Sequence, residues 1–184
     1  MTLFKDKYRI QSARLRHWDY SATGSYFVTI CTKERACFFG DVTNTEVKLS
    51  PVGRIVAEEW QKTPFIRQNV ELDEWQIMPN HLHVIVVIKE PRAAISTAET
   101  AHRAVSTGQP RNLRPRSLGS IIGQFKAACT KRIWAAGFRD FAWQSRFYDH
   151  IIRDRASLDK IRDYIIHNPL MWETDKDNPE NLCM

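Results

Sequence analysis

The chain has 184 residues, 43% of them hydrophobic and 11% aromatic, enough for one domain with a real core. No apolar run approaches the roughly 20 residues that span a bilayer. The Lys- and Arg-rich start, Met1 to Arg16, lacks the apolar segment of a secretory signal, so a cytoplasmic protein without a membrane partner is expected. The excess of 27 Lys and Arg over 21 Asp and Glu gives a formal charge of +6, which suits a polyanionic partner without demanding one.

In chain order, Ser25 to Cys31 is β-branched and aromatic behind Thr23-Gly24 and reads as a strand. A turn at Phe39-Gly40-Asp41 leads to a short strand near Val47-Lys48-Leu49. Ser50-Pro51 is an N-cap followed by proline at the first helical position, and Val52, Ile55, Val56, Glu59 and Trp60 recur at helical spacing, which predicts a helix from Pro51 to Thr63. Val70 to Met78 and His81 to Ile88 read as strands joined by a tight turn at Pro79-Asn80. From Pro91 to Arg116 the chain is rich in Ala, Ser, Thr, Arg and Pro and poor in large apolar residues, so a flexible insert at about 91–116 is expected.

Order resumes at Ser117. Leu118, Ile121, Ile122, Phe125, Ala128 and Cys129 form one helical stripe running to about Trp134, with Lys126, Lys131 and Arg132 on the outer face. Gly137 ends that helix, and an aromatic stretch, Phe138 to Phe147, follows. A short helix is predicted near Asp149 and a last helix from Ser157 to His167, stopped by Asn168-Pro169. Without regular βαβ alternation, the order favours a single α+β domain of antiparallel sheet and helices across residues 1–184. Cys31, Cys37, Cys129 and Cys183 lack metal-site or disulfide spacing and read as reduced, mostly buried thiols.

Two features carry chemistry. In a strand, His81 and His83 point to the same face with Cα atoms about 7 Å apart, which lets two imidazoles converge on one ion. On the last helix Tyr164 and Asn168 lie one turn apart on one side. Taken alone, the histidines fit a chance strand pair. Tyr164 and Asn168 also fit a packing stripe with Asn168 capping the helix end.

The segment Pro79-Asn80-His81-Leu82-His83 is similar to the histidine-hydrophobic-histidine signature of single-tyrosine transposases. Asp163-Tyr164-Ile165-Ile166-His167-Asn168-Pro169 resembles their catalytic helix. Arg14-Leu15-Arg16, Asp19-Tyr20, Tyr26 to Ile30 and Trp143 to His150 fall in the order found in the REP-associated tyrosine transposases, and the resemblance spans nearly the whole chain outside the insert and C-terminal tail. It implies a ferredoxin-like α+β domain with the histidines on a central strand. It also implies His81, His83 and Asn168 as ligands of Mg²⁺ or Mn²⁺ and Tyr164 as the nucleophile. Tyr148, the competing nucleophile in sequence, is not at the matching position and is expected in the aromatic core. A glutamine often stands where Asn168 stands.

The implied reaction is cleavage and joining of single-stranded DNA through a 5′-phosphotyrosine, on hairpins of the repetitive extragenic palindromic type, by a monomer or homodimer. A phenol with an ordinary pKa near 10 needs a nearby cation to become a nucleophile at neutral pH. Arg14, Arg16, Lys126, Arg132 and Arg146, together with Arg9 and Lys131, are candidates for phosphate contacts; Trp18, Tyr20 and Trp143 are candidates for base stacking. A binding module that no longer cuts, and a phosphoesterase that uses water, are the competing readings.

Overall fold

Residues 81–88 read His-Leu-His-Val-Ile-Val-Val-Ile, and a strand so uniformly apolar after its histidines is stable only with both faces covered. A computed structural model, describing residues 15, 18–90, 115–175, 178 and 181, places it inside a four-stranded sheet with helices over both faces. The elements are β1 (Gly24–Cys31), β2 (Gly40–Thr43), β3 (Glu46–Leu49), α1 (Pro51–Ile66), β4 (Val70–Ile77), β5 (His81–Ile88), α2 (Leu118–Ala135), β6 (Tyr148–Ile152) and α3 (Arg155–His167). The main sheet has the order β4-β5-β1-β6 with every neighbour antiparallel; β2 and β3 form a separate ribbon. Setting the ribbon aside, β1-α1-β4-β5-α2-β6 is the ferredoxin-like β-α-β-β-α-β arrangement, with α3 added on the opposite face.

Strand alternation divides the core. Tyr26, Val28 and Ile30 of β1 and Leu82, Val84 and Val86 of β5 pack with Val56 and Trp60 of α1 and with Ile121, Ile122 and Phe125 of α2. Burial of each such side chain contributes about 1.5–3 kcal/mol. The other face is thinner: Phe27, Ile85 and Ile152 receive Leu158, Ile161 and Ile165 of α3. Caps fix the helix starts, with Ser50, Ser117 and Asp154 accepting from the backbone N–H of Gly53, Ser120 and Ser157.

Several elements differ from the sequence expectations. Residues 148–152 form β6 rather than a short helix, because β1 offers an open edge and the helix cap comes later, at Asp154. Helix α1 passes Thr63 and runs to Ile66 through Pro64, since a last-turn proline forfeits one backbone bond while Arg67 N–H still donates to Thr63 O at 2.9 Å. The turn expected at Phe39 to Asp41 is the start of β2; the ribbon reverses at Asn44-Thr45, both with positive φ, as a two-residue hairpin turn requires. Asn168-Pro169 does not stop the chain, which tightens into a 3-10 turn over Asn168–Thr174.

Phe141 is buried in the core and Trp143 packs against it. Cys31 and Cys129 are buried and Cys37 is exposed, while Cys183 lies outside the described residues. So does the insert, apart from Pro115 and Arg116. Among the described residues no helix is long and apolar enough to cross a membrane.

Candidate active site

The register of the sheet builds the site. Gln76 of β4, His83 of β5, Thr29 of β1 and Tyr148 of β6 lie directly opposite one another in a row across four strands. The row faces the α3 side, because Tyr26, Val28 and Leu82 take the core side. His81 stands opposite Cys31, two residues along β5 from His83.

Hydrogen bonds set the rings. Asn80 Nδ2 donates to Arg35 O at 3.0 Å, so its Oδ1 faces His81 Nδ1 at 2.8 Å. An amide oxygen only accepts; His81 Nδ1 therefore carries the hydrogen and His81 Nε2 keeps a lone pair. His83 Nδ1 lies 2.9 Å from Thr29 Oγ1, and the two Nε2 atoms are 3.0 Å apart. When Thr29 donates, His83 Nε2–H can bond to His81. When Thr29 accepts, both Nε2 atoms present lone pairs to one another, an arrangement that suits a cation or a donor such as the Tyr164 hydroxyl.

Helix α3 brings in the other partners. Tyr164 Oη is 3.2 Å from His83 Nε2, and its ring lies edge-on to Phe27 with centroids 6.1 Å apart. The hydroxyl remains accessible, as Tyr164 is 45% exposed. One turn on, Asn168 is 1% exposed; its Nδ2 reaches Asp175 Oδ2 at 3.5 Å, while its buried Oδ1 has no hydrogen-bond partner. Such an orphaned acceptor costs about 1–3 kcal/mol unless a cation or donor meets it. The 3-10 turn that Asn168 begins sets Trp172 beside His81, ring centroids 6.1 Å apart.

The helix is tied to the sheet by a bulge in β4 between Leu72 and Trp75 that presents Asp73 to Arg162. Arg162 donates from Nε and Nη2 to the two carboxylate oxygens at 2.8 and 2.6 Å, and this hydrogen bonding holds the Asp73 carboxyl below the usual range. Among the described residues no three His, Cys, Asp or Glu side chains gather as a metal group. An ion held by the two histidines would need any third protein ligand to be of another type, and Asn168 carries an unpartnered oxygen.

A cleft of about 510 Å³ opens over the row, lined by Phe27, Thr29, Cys31, Arg35, His83, Gln144, Arg146, Phe147, Tyr148 and Tyr164. Tyr148 is not in the aromatic core: it is 54% exposed at the cleft, because β6 is an edge strand and its register turns Tyr148 toward the Thr29 side. Of the basic candidates, Arg146 lines the cleft. Lys126 instead donates to Gln144 O and Arg146 O at 2.7 and 3.1 Å, and burial lowers its pKa to about 8. Arg132 forks onto Glu58 and Glu59 of α1, and Lys131 is exposed on α2 away from the cleft. Arg9, Arg14 and Arg16 lie outside the described residues.

Trp18 and Tyr20 pack on the core, as does Trp143, whose Nε1 donates to Lys126 O. Sequence reading missed Thr29, Asn80 and Arg35. A strand register would have exposed Thr29. Asn80, read only as a turn residue, sits next to the histidines in the motif itself.

No family model matches the sequence. A Haemophilus influenzae protein described as uncharacterized is 38% identical over 168 residues, covering 90% of this chain and 91% of that protein. The chain belongs to that protein's family. Among solved structures, a REP-associated tyrosine transposase bound to a REP hairpin aligns with a TM-score of 0.54 and 19% identity, over 86% of this chain and 73% of that one. The fold is thus the one that the sequence resemblance implied, an antiparallel four-stranded sheet with helices, shared with that transposase.

Proposed function

We propose that this chain is a metal-dependent, single-stranded DNA endonuclease and strand transferase of the transposase type, cutting through a covalent 5′-phosphotyrosine at Tyr164. The observation that supports it best is one alignment of atoms. The Tyr164 hydroxyl is 3.2 Å from His83 Nε2, which is 3.0 Å from His81 Nε2, and the unpartnered Asn168 oxygen lies one helical turn away. His81, His83 and Asn168 would hold the ion, which we take to be Mg²⁺ or Mn²⁺.

The bound ion supplies Lewis-acid polarisation of the phosphate and stabilises the phenolate. The chain's own residues do the rest. Arg162 and Asp73 fix α3, and Phe27 fixes the Tyr164 ring, so that the oxygen faces the cleft. Attack forms the bond from Tyr164 oxygen to phosphorus and breaks the bond from phosphorus to the 3′ oxygen. The phenol proton passes to water in the open cleft, and the departing oxygen takes one up. The ester keeps the energy of the broken diester; a 3′-hydroxyl can therefore reverse the step without ATP, as joining in transposition requires.

The hairpin in the similar transposase supports hairpin or single-stranded DNA, REP-like palindromes included, as the substrate. Arg146 contacts phosphate from the cleft wall, with Arg14 and Arg16 as further contacts. The test is a denaturing gel after incubation with end-labelled hairpin DNA and Mn²⁺. Wild type gives a protein–DNA adduct and Tyr164→Phe gives none. Cleavage without adduct would mean water attack, binding without cleavage an inactive module, and an undiminished adduct in Tyr164→Phe would move the nucleophile to Tyr148.

A further inference from the structure

We propose that Arg35 binds the scissile phosphate, an inference that rests on the cleft being a DNA-cleaving site. Arg35 lines the cleft together with His83 and Tyr164. It sits in the left-handed region at φ 58, directly after Glu34 at φ 55, where an L side chain is strained and glycine is not. The surroundings enforce this backbone. Asn80 Nδ2 donates to Arg35 O, and the same amide orients His81; Thr32 Oγ1 bridges Ala36 O and Asn80 O at 2.8 and 2.9 Å.

Position 35 is therefore coupled through one amide to the histidine pair, yet it carries a large cation where a glycine would relieve the backbone. Strain kept at such a place is accounted for by what the side chain does. A guanidinium on the wall of the cleft that Tyr164 also lines can match two phosphate oxygens at once, and its charge meets the negative charge that builds on them as Tyr164 attacks. Arg146 is less suited to that role, being exposed on the outer wall, where it would follow the backbone of a flanking nucleotide.

The test uses the full chain and its Arg35→Gly and Arg35→Lys variants. Arg35→Gly keeps or raises the melting temperature and keeps Mn²⁺ affinity by calorimetry, but lowers the rate of adduct formation on hairpin DNA by about 10²–10³-fold. Arg35→Lys regains part of the rate. Independently of cutting, the slope of log affinity against log salt for a fluorescein-labelled oligothymidylate falls in Arg35→Gly by about 0.7, one phosphate contact. An unchanged slope, or a lost Mn²⁺ affinity that makes Arg35 a support for His81, overturns the assignment. Should the wild type form no adduct, the DNA-cleaving reading fails, and the salt slope still decides for or against Arg35.

Discussion

Asn168 is the residue at which burial and chemistry disagree most. Its amide nitrogen has an acidic neighbour, its oxygen has none, and it is sealed from water. Asn168→Leu should lower Mn²⁺ affinity by about 10–100-fold while leaving the metal-free melting temperature near that of wild type, since the orphaned oxygen is removed along with the ligand. Asn168→Asp should set a second carboxylate against Asp175, so the metal-free protein melts earlier and Mn²⁺ raises its melting temperature more than it raises that of wild type. Calorimetric titration with parallel melting curves checks both. Equal Mn²⁺ affinity in the three proteins would remove Asn168 from the metal site and return it to helix capping.

Asn80→Ala belongs beside these variants. It removes the acceptor that keeps the hydrogen on His81 Nδ1, and a loss of about 10–100-fold in Mn²⁺ affinity is expected without any change in the ligands themselves. A titration indistinguishable from wild type would show that His81 needs no such partner.

At the scale of elements, Tyr164, the proposed nucleophile, is only as well placed as α3. This helix covers the thinner face with a few aliphatic side chains, and its tie to β4 is the Arg162–Asp73 fork. Arg162→Met should cut the adduct-forming rate by up to about 10²-fold through misplacement of Tyr164 while Mn²⁺ affinity falls much less. The pH dependence has a definite sign. Because Arg162 holds the Asp73 carboxyl down, the fork contributes fully above the unfolded carboxylate pKa near 4 and is lost as pH falls through the lower folded value. Melting temperatures of wild type and Arg162→Met should differ at neutral pH and converge in acid; a gap that stays constant through the acid range would show that the fork holds nothing.

Elements with strong periodicity were readable from sequence: β1, β5, α1 and α2 lie within a few residues of their predicted places. β6 was not. Tyr-Asp-His-Ile-Ile has no clear alternation, and it is a strand because β1 offers it an edge from far away in the chain. The ferredoxin-like order depends on that strand, so local signals left the topology incomplete and the family resemblance supplied it. The same division holds for the site. His81, His83 and Tyr164 stand in motifs, whereas Thr29 enters only through cross-strand register and Arg35 only through a loop closed by Asn80.

For the whole molecule, composition sets one more expectation. The segment 91–116 brings too few large apolar residues to offset the entropy of ordering it, so replacing residues 92–113 by a short Gly-Ser linker should change the melting temperature by no more than about 3 °C. A much larger drop would make the segment part of the core.

The edge position of β6 has a further consequence. Only Arg153 and Asp154 separate β6 from α3, so the edge strand that carries Tyr148 leads at once into the helix that carries Tyr164, which crosses back over the sheet to its fork with β4 at the other edge. A fluctuation that peels β6 from β1 carries Tyr148 away, while the fork to Asp73 keeps the Tyr164 helix on the sheet beside the histidines. During synthesis this pairing also closes after the β4–β5 and β1–β5 pairings, because β1 and β6 are the paired strands farthest apart in sequence. A half-made chain would then carry the histidine pair before the Tyr164 helix is there to pack beside it.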